Sequence, residues 1–397
     1  MHVFYWIVLV LDWLVALAWT VRVLIWRRMV RRVPDLTRTV DAHPPSLPLP
    51  GLSVIVPARN EAASISATLR SLLASEGVDL QILAVDDRST DETGAIMDDL
   101  AAEGTTLPGK TLQVVHVTEL PSGWLGKTHA MAVAAQQATG QWLLFTDGDV
   151  GFRPDALRRA LEYAGTSDAD HMVLLPTVVL RSWGERMMVS FLLVLSIWGP
   201  RLWQVPDPGS RQDAIGVGAF NLIRREVYDA LGGWEALRMQ VLEDVTLGRR
   251  VKARGFAQRV AFGPDLVGVR WAKGAFGVVE NLTKNLFALF GFRPELLLAA
   301  VCGVAMFSLF PLAACLLGFA LWWPAGLMLI ALFLAYGRVG RQHHFSAAQM
   351  FLFPAAAVLM LYAMLRSMCL ALWRGGVTWR GTVYSLRELR AQSKNAS

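Results

Sequence analysis

The sequence predicts an α/β domain on a mostly parallel sheet, carried between membrane-spanning segments before and after it. Three observations lead there. From Leu52 to about Gly268, short apolar and often β-branched runs alternate with helical patterns, the signature of βαβ units. The run Val3–Trp26 is long enough to cross a bilayer, and long apolar runs return from Pro294 onward. Composition agrees, since 54% hydrophobic residues and 15 Trp among 397 are too apolar for an ordinary soluble enzyme. The formal charge of +6 does not point to nucleic acid. Arg22, Arg27, Arg28, Arg31 and Arg32 cluster beside an apolar run, where anionic headgroups attract them.

Residues 1–32 read as an N-terminal membrane anchor with a basic flank. Its arginines follow the apolar core and no small-residue cleavage site is evident, so it is a retained span and not a signal peptide. The positive flank puts the chain after Trp26 in the cytoplasm, beneath an inner or plasma membrane. Asp12 interrupts the span, and either pairing within a helix bundle or simple tolerance near one leaflet is expected of it. Residues 33–50, with His43-Pro44-Pro45 and Pro48-Leu49-Pro50, form a linker.

Residues 51–293 are expected to be the cytoplasmic catalytic domain. Its strands are predicted at Leu52–Val56, Gln81–Val85, Leu112–Val117, Gln141–Thr146 and His171–Pro176. Helices are predicted over Glu61–Ser75 and Lys127–Ala138, with Arg153-Pro154 opening another. Met187–Trp203 is strongly apolar and reads as an interfacial helix, a buried core helix being the alternative. Residues 294–373 hold three more apolar runs, Glu295–Leu317, Gly318–Tyr336 and Phe345–Trp373. The basic stretch Arg338–Arg341 and the basic tail 374–397 both favour the cytoplasm, so one of the three is expected to be re-entrant or interfacial. Cys302, Cys315 and Cys369 sit in apolar runs without metal-ligand or disulfide spacing.

In an open α/β sheet, ligands bind beyond the carboxyl ends of the strands. Three predicted strands end in polar clusters: Pro57-Ala58-Arg59-Asn60-Glu61, Asp86-Asp87-Arg88-Ser89-Thr90-Asp91 and Asp147-Gly148-Asp149. Each alone also suits a turn or helix cap, but all three stand at corresponding strand ends. Asp147 and Asp149 flank a glycine and can hold a hard divalent cation while leaving positions for phosphate oxygens. Lys127, in the turn Gly123-Trp124-Leu125-Gly126-Lys127, can approach phosphate or serve as a solvated surface lysine. Glu243 and Asp244 open the helical pattern Glu243–Ala253, where the helix dipole favours acids whatever their role. A carboxylate there also suits a general base, and His116, His129 and His171 stand isolated in the sequence.

The ordered clusters Ser53–Glu61, Val85–Asp91, Asp147-Gly148-Asp149 and Glu243-Asp244 resemble the motifs of family 2 glycosyltransferases over about residues 50–290. Gly123–Lys127 and Trp379-Arg380-Gly381 resemble the membrane-bound subset that glycosylates hopanoids, carotenoids, ceramides and similar lipids. The resemblance implies a GT-A fold and inverting transfer from a nucleotide-diphosphate donor, most simply a UDP-sugar, with Mg²⁺ or Mn²⁺, onto the hydroxyl of a membrane lipid. It implies that Asp87 contacts the base or ribose, with Pro57, Arg59, Glu61 and Asp86 in the same donor-binding motifs. Asp149 would be the principal metal ligand, with Asp147 beside it and facing the sugar and nucleotide, and Asp244 the base that deprotonates the acceptor, next to Glu243. Gly216–Asn221 and Gly232-Gly233-Trp234 resemble the family's acceptor-side segment. Val267-Gly268-Val269-Arg270-Trp271 lacks the glutamine of the Gln-x-x-Arg-Trp element of polysaccharide synthases, which argues against processive synthesis. Arg270 and Trp271 can still offset diphosphate charge and stack on a sugar, or snorkel at an interface. A polysaccharide or polyprenyl-phosphate sugar synthase and a catalytically silent membrane scaffold are the alternatives.

Overall fold

The computed structural model describes residues 2–38, 49–104, 108–379 and 382–394. Most of the predicted linker, and Arg380 and Gly381 of the Trp379-Arg380-Gly381 motif, lie outside them. The chain forms two compact units. Residues 179–201 and 271–293, assigned from sequence to the catalytic domain, belong to the unit that contains the long apolar helices.

The α/β unit holds strands β1 (Leu52–Ala58), β2 (Leu80–Asp87), β3 (Lys110–Val117), β4 (Trp142–Phe145), β5 (Val150–Phe152), β6 (His171–Leu175), β7 (Thr177–Val178), β8 (Asn221–Arg224), β9 (Gln258–Phe262) and β10 (Val267–Val269). Seven of them form one sheet in the order β3-β2-β1-β4-β8-β6-β9. Strands β1–β4 pair in parallel, as do β6 and β9, whereas β8 runs antiparallel to both β4 and β6. The five predicted strands appear with their ends moved by at most two residues. Of the others, β5, β7 and β10 have three residues or fewer, too few to show a period, while β8 and β9 carry no strand pattern that marks them in the sequence.

The sheet is buried on both faces, which is why β1 reads as a continuous apolar run. Val54, Val56, Ile82, Ala84 and Leu144 pack on one side with the helices Ile65–Leu73, Thr93–Gly104 and Ala156–Thr166. Ile55, Leu83, Val85, Leu143 and Phe145 pack on the other with the helix Gly126–Ala135. Two helix starts in the α/β unit come later than expected. The helix predicted from Glu61 begins at Ile65, because Asn60 adopts φ 56° and the Glu61 carbonyl closes a turn by accepting from Ser64 and Ile65. The helix after Arg153-Pro154 begins at Ala156, and the Pro154 carbonyl accepts from Glu76 instead of starting the helix ladder. A small sheet, β5-β10-β7, sets Arg270 directly after β10.

The other unit contains three helical segments long and apolar enough to cross a membrane, His2–Arg32, Phe319–His343 and Ala347–Trp373. A fourth candidate, Pro294–Ser308 with Phe310–Leu317, is bent by 50°. The bend has a chemical cause: Pro311 has no N–H, so the carbonyl of Phe307 loses its intrahelical donor. The indole of Trp19 supplies one at 2.8 Å. Asp12 is fully buried and has no hydrogen-bond partner among the described residues, so of the two expectations pairing is not made. The first helix and Trp322–His343 run parallel. Gly318 lies against Tyr5, and Leu321 clusters with Val8, while both Trp19 and Tyr336 contact Phe353 further along.

Candidate active site

Strand alternation separates the two acids at the end of β2. Asp86 shares the face of Ile82 and Ala84 and meets Gly94 and His116. His116 is not isolated: it bridges Asp86 at 3.3 Å and Asp98 at 3.0 Å. The Asp98 hydrogen bond, helped by Asp86, holds it above the usual histidine range against a smaller effect of burial. Asp87 points to the opposite face and is fully buried, and Arg88 Nε donates to its carboxylate at 2.9 Å. Gly126, which opens the helix Gly126–Ala135, leaves room for that pair. A Cβ there would stand 2.7 Å from both Asp87 Oδ2 and an Arg88 nitrogen.

The loop after β1 is stitched to the loop after β2. Asn60 donates its N–H to Ser89 Oγ at 3.1 Å and accepts from Thr90 N–H at 2.8 Å, and Glu61 N–H donates to Thr93 Oγ1 at 2.8 Å. Glu61 is thereby turned toward the Asp147-Gly148-Asp149 loop, where the backbone of Gly148 packs on Ala58 and on the Glu61 side chain. Thr68 Oγ1 fixes that loop by donating to the Gly148 carbonyl at 3.0 Å. Burial, and then the charges of Asp147 and Glu61, push Asp149 up to about 7 against the pull of Lys127.

Lys127 joins Asp147 to the acids that open the helix Glu243–Ala253. Its ammonium lies 2.6 Å from Asp147 and 2.6 Å from Glu243. Burial pulls its proton affinity down, but the charges of Asp147, Glu243 and Asp244 outweigh burial and hold it above the ordinary lysine range. Leu125 N–H and Thr128 Oγ1 both donate to the carbonyl of Arg238, so the start of the Lys127 helix is pinned to the segment that leads into Glu243. Glu243 and Asp244 open the helix Glu243–Ala253, as the sequence pattern predicts. Burial, then the neighbouring Glu243 charge, push Asp244 above the usual carboxylate range, with Lys127 opposing. Gly216 packs its backbone against the Asp244 carbonyl, and Gly218 against Asp147 and Lys127.

Thus Glu61, Asp147, Asp149, Lys127, Glu243 and Asp244 form one electrostatically linked group, with Asp87 and Arg88 at Gly126, next to Lys127. Pro57 and Arg59 flank it on β1 and its loop, whereas Asp86 faces away. Arg270 follows β10, and Trp271 begins the segment of the other unit, where its carbonyl accepts from Asn281. Among the described residues, no three Asp, Glu, His or Cys side chains are already grouped to hold a metal. The donor chemistry still fits a hard cation, since the charges of Asp147 and Glu61 bear on Asp149 and outweigh the pull of Lys127. The double pairing of Lys127 was not visible in the sequence, where its glycine-containing turn was the only signal.

Comparison with known proteins gives a consistent picture. The sequence pattern of the family described as Glycosyl transferase family 2 matches residues 53–232. The chain is 26% identical over 357 residues to 4,4'-diaponeurosporenoate glycosyltransferase of Staphylococcus aureus (strain USA300), covering 84% of this chain and 88% of that protein. Among solved structures, the mannosyltransferase PcManGT from Pyrobaculum calidifontis, in complex with GDP-Man and Mn2+, is similar with a TM-score of 0.48 and 21% identity, over 91% of this chain and 99% of that one. S. aureus TarS gives a TM-score of 0.41 at 16% identity, over 78% of this chain and 55% of its own.

Proposed function

From the chain's membership of glycosyl transferase family 2, with its GT-A fold, we propose that it transfers a sugar from a UDP-sugar to the hydroxyl of a membrane lipid with inversion at the anomeric carbon. The observation that carries this reading is the Lys127 bridge, which ties Asp147 on the donor side to Glu243 beside the candidate base. Asp87 and Arg88 hold the nucleoside, with Pro57, Arg59 and Glu61 around it. Asp147 and Asp149 hold Mg²⁺ or Mn²⁺, which when bound offsets charge on the departing diphosphate. Lys127 turns a cation toward the same phosphates.

Asp244 takes the proton of the acceptor hydroxyl as that oxygen attacks the anomeric carbon. Its environment suits the task, because a carboxylate held above its ordinary range binds a proton more firmly than an exposed aspartate does. Glu243, paired with Lys127, holds the helix start in place, and Arg270 adds positive charge for the diphosphate. The acceptor named for the S. aureus relative supports an apolar membrane lipid as the acceptor class.

The N-terminal arginines favour a cytoplasmic α/β unit with the first helix running inward. Since Trp322–His343 runs parallel to it, the bent pair Pro294–Leu317 carries the chain back outward, which sets Arg338 and Arg341 in the cytoplasm. The basic tail then stays inside only if Ala347–Trp373 enters and leaves at the same face. The decisive experiment incubates purified protein in nanodiscs with UDP-sugars, Mg²⁺ or Mn²⁺ and extracted bacterial lipid. A lipid species heavier by one sugar residue, with its anomer inverted relative to the donor, is expected. Donor turnover without any glycosylated lipid would refute the acceptor assignment.

A further inference from the structure

The helices Trp183–Leu195 and Gly274–Leu289 have 13 and 16 residues. Both fall short of the roughly 20 needed to cross a bilayer. Both nevertheless belong with the long apolar helices. Phe191 stacks on Phe353 with ring centroids 5.0 Å apart, and Ser367 Oγ donates to the Thr283 carbonyl and accepts from Phe287 N–H. The segment after the first of them meets the arginine-rich end of the N-terminal helix, where Arg22 donates to the carbonyls of Ile197 and Gly199.

One buried carboxylate locks the two helix starts together. Glu185 closes a capping box with Ser182, and its other oxygen accepts from Gly274 N–H at 3.0 Å. Gly184 approaches Ala275 so closely that a Cβ would stand 2.6 Å from the Ala275 nitrogen. The chain neighbours of these two contacting residues, Trp183 and Phe276, are 74% and 73% exposed. Folding buries neither ring, although the lock that presents them is specific. Exposed Arg181 and Lys273 flank the pair, and a polar strip with Glu280 and Lys284 ends the apolar patch further along the second helix.

We infer that Trp183 and Phe276 form an aromatic anchor that inserts into the headgroup layer of the inner leaflet, with Arg181 and Lys273 on the phosphates of anionic lipids. Aromatic side chains beside cations are the combination that favours a membrane interface over water. The anchor rests on the membrane placement proposed above and not on the reaction, so it stands or falls independently of the transfer chemistry.

The test uses full-length protein with Cys302, Cys315 and Cys369 replaced by Ser, and a polarity-sensitive fluorophore on Phe276→Cys or, as the water-facing reference, on Asp99→Cys. Single copies are placed in nanodiscs of phosphatidylcholine with or without phosphatidylglycerol. At position 276, shielding from aqueous iodide and quenching by doxyl-labelled lipid are expected, both stronger with the anionic lipid. Arg181→Gln and Lys273→Gln should each weaken insertion about fivefold in the anionic discs. Iodide access equal to that at position 99 overturns the anchor. So does a shielded label that doxyl lipid fails to quench, which would place protein over the patch. Equal insertion in both lipids overturns the role of the cations.

Discussion

Replacing Lys127 with Met tests whether the site is held together by charge. The substitution keeps most of the side-chain volume and removes two 2.6 Å ion pairs. The two arms differ in worth. Glu243 has 8% of its side chain exposed and Lys127 14%, so loss of that arm leaves a buried charge without its partner, a cost of about 3–5 kcal/mol. Asp147 is 35% exposed, and solvent screening limits its arm to about 1 kcal/mol or less. Because the wild-type ammonium is held above the ordinary lysine range, it stays charged through the neutral range, and its stabilisation is present there and lost only at strongly alkaline pH. Thermal unfolding of the α/β unit should therefore fall by about 6–15 °C in Lys127→Met. Adding Glu243→Gln removes the orphaned charge and should recover more than half of the loss, since a neutral pair costs less than a broken one. Scanning calorimetry of both variants decides it. A melting point within about 1 °C of wild type, or a double variant no better than the single one, would refute the electrostatic account.

Asp149→Ala should abolish metal-dependent donor binding in titration calorimetry while the fold persists, and unchanged binding removes it as the metal ligand. Asp244→Asn should leave donor affinity intact while transfer falls by about 10²-fold or more. In the wild type the rate should drop as pH falls through a value above the ordinary aspartate range, because the base must be ionised, and that limb should vanish in the variant. Buried His171, pulled down to about 4 by loss of solvent, binds its proton less well folded than unfolded. Stability should accordingly decline as pH falls from about 6.5 to 4, by about 3 kcal/mol, and denaturant melts of His171→Gln should lack that slope. Glu388→Cys, in the variant with the three native cysteines replaced, should resist an impermeant thiol reagent in intact cells, and labelling from outside would place the tail across the membrane.

Features carried by local pattern were legible in the sequence. The parallel strands announced themselves because burial on both faces leaves continuous apolar runs, and Glu243–Ala253 because its acids stand at a helix start. Features carried by a partner distant along the chain were not. Strand β8 is four residues long, and its place between β4 and β6 depends on a register that Asn221–Arg224 does not encode alone. His116 looked isolated because Asp86 and Asp98 reach it from another strand and a helix. Lys127 is the sharpest case. From its own turn it reads as a phosphate ligand or a surface lysine, and only the hydrogen bonds from Leu125 and Thr128 to Arg238 bring Glu243 within its reach. The same geometry makes Gly218 consequential, since a Cβ there would stand 2.7 Å from Asp147 and 3.4 Å from Lys127. A small residue that looks like turn chemistry in the sequence is, in the fold, what lets the lysine sit between Asp147 and Glu243. The spacing of the motifs along the chain therefore reflects which helices can meet at Lys127, a constraint of packing that one-dimensional periodicity does not express.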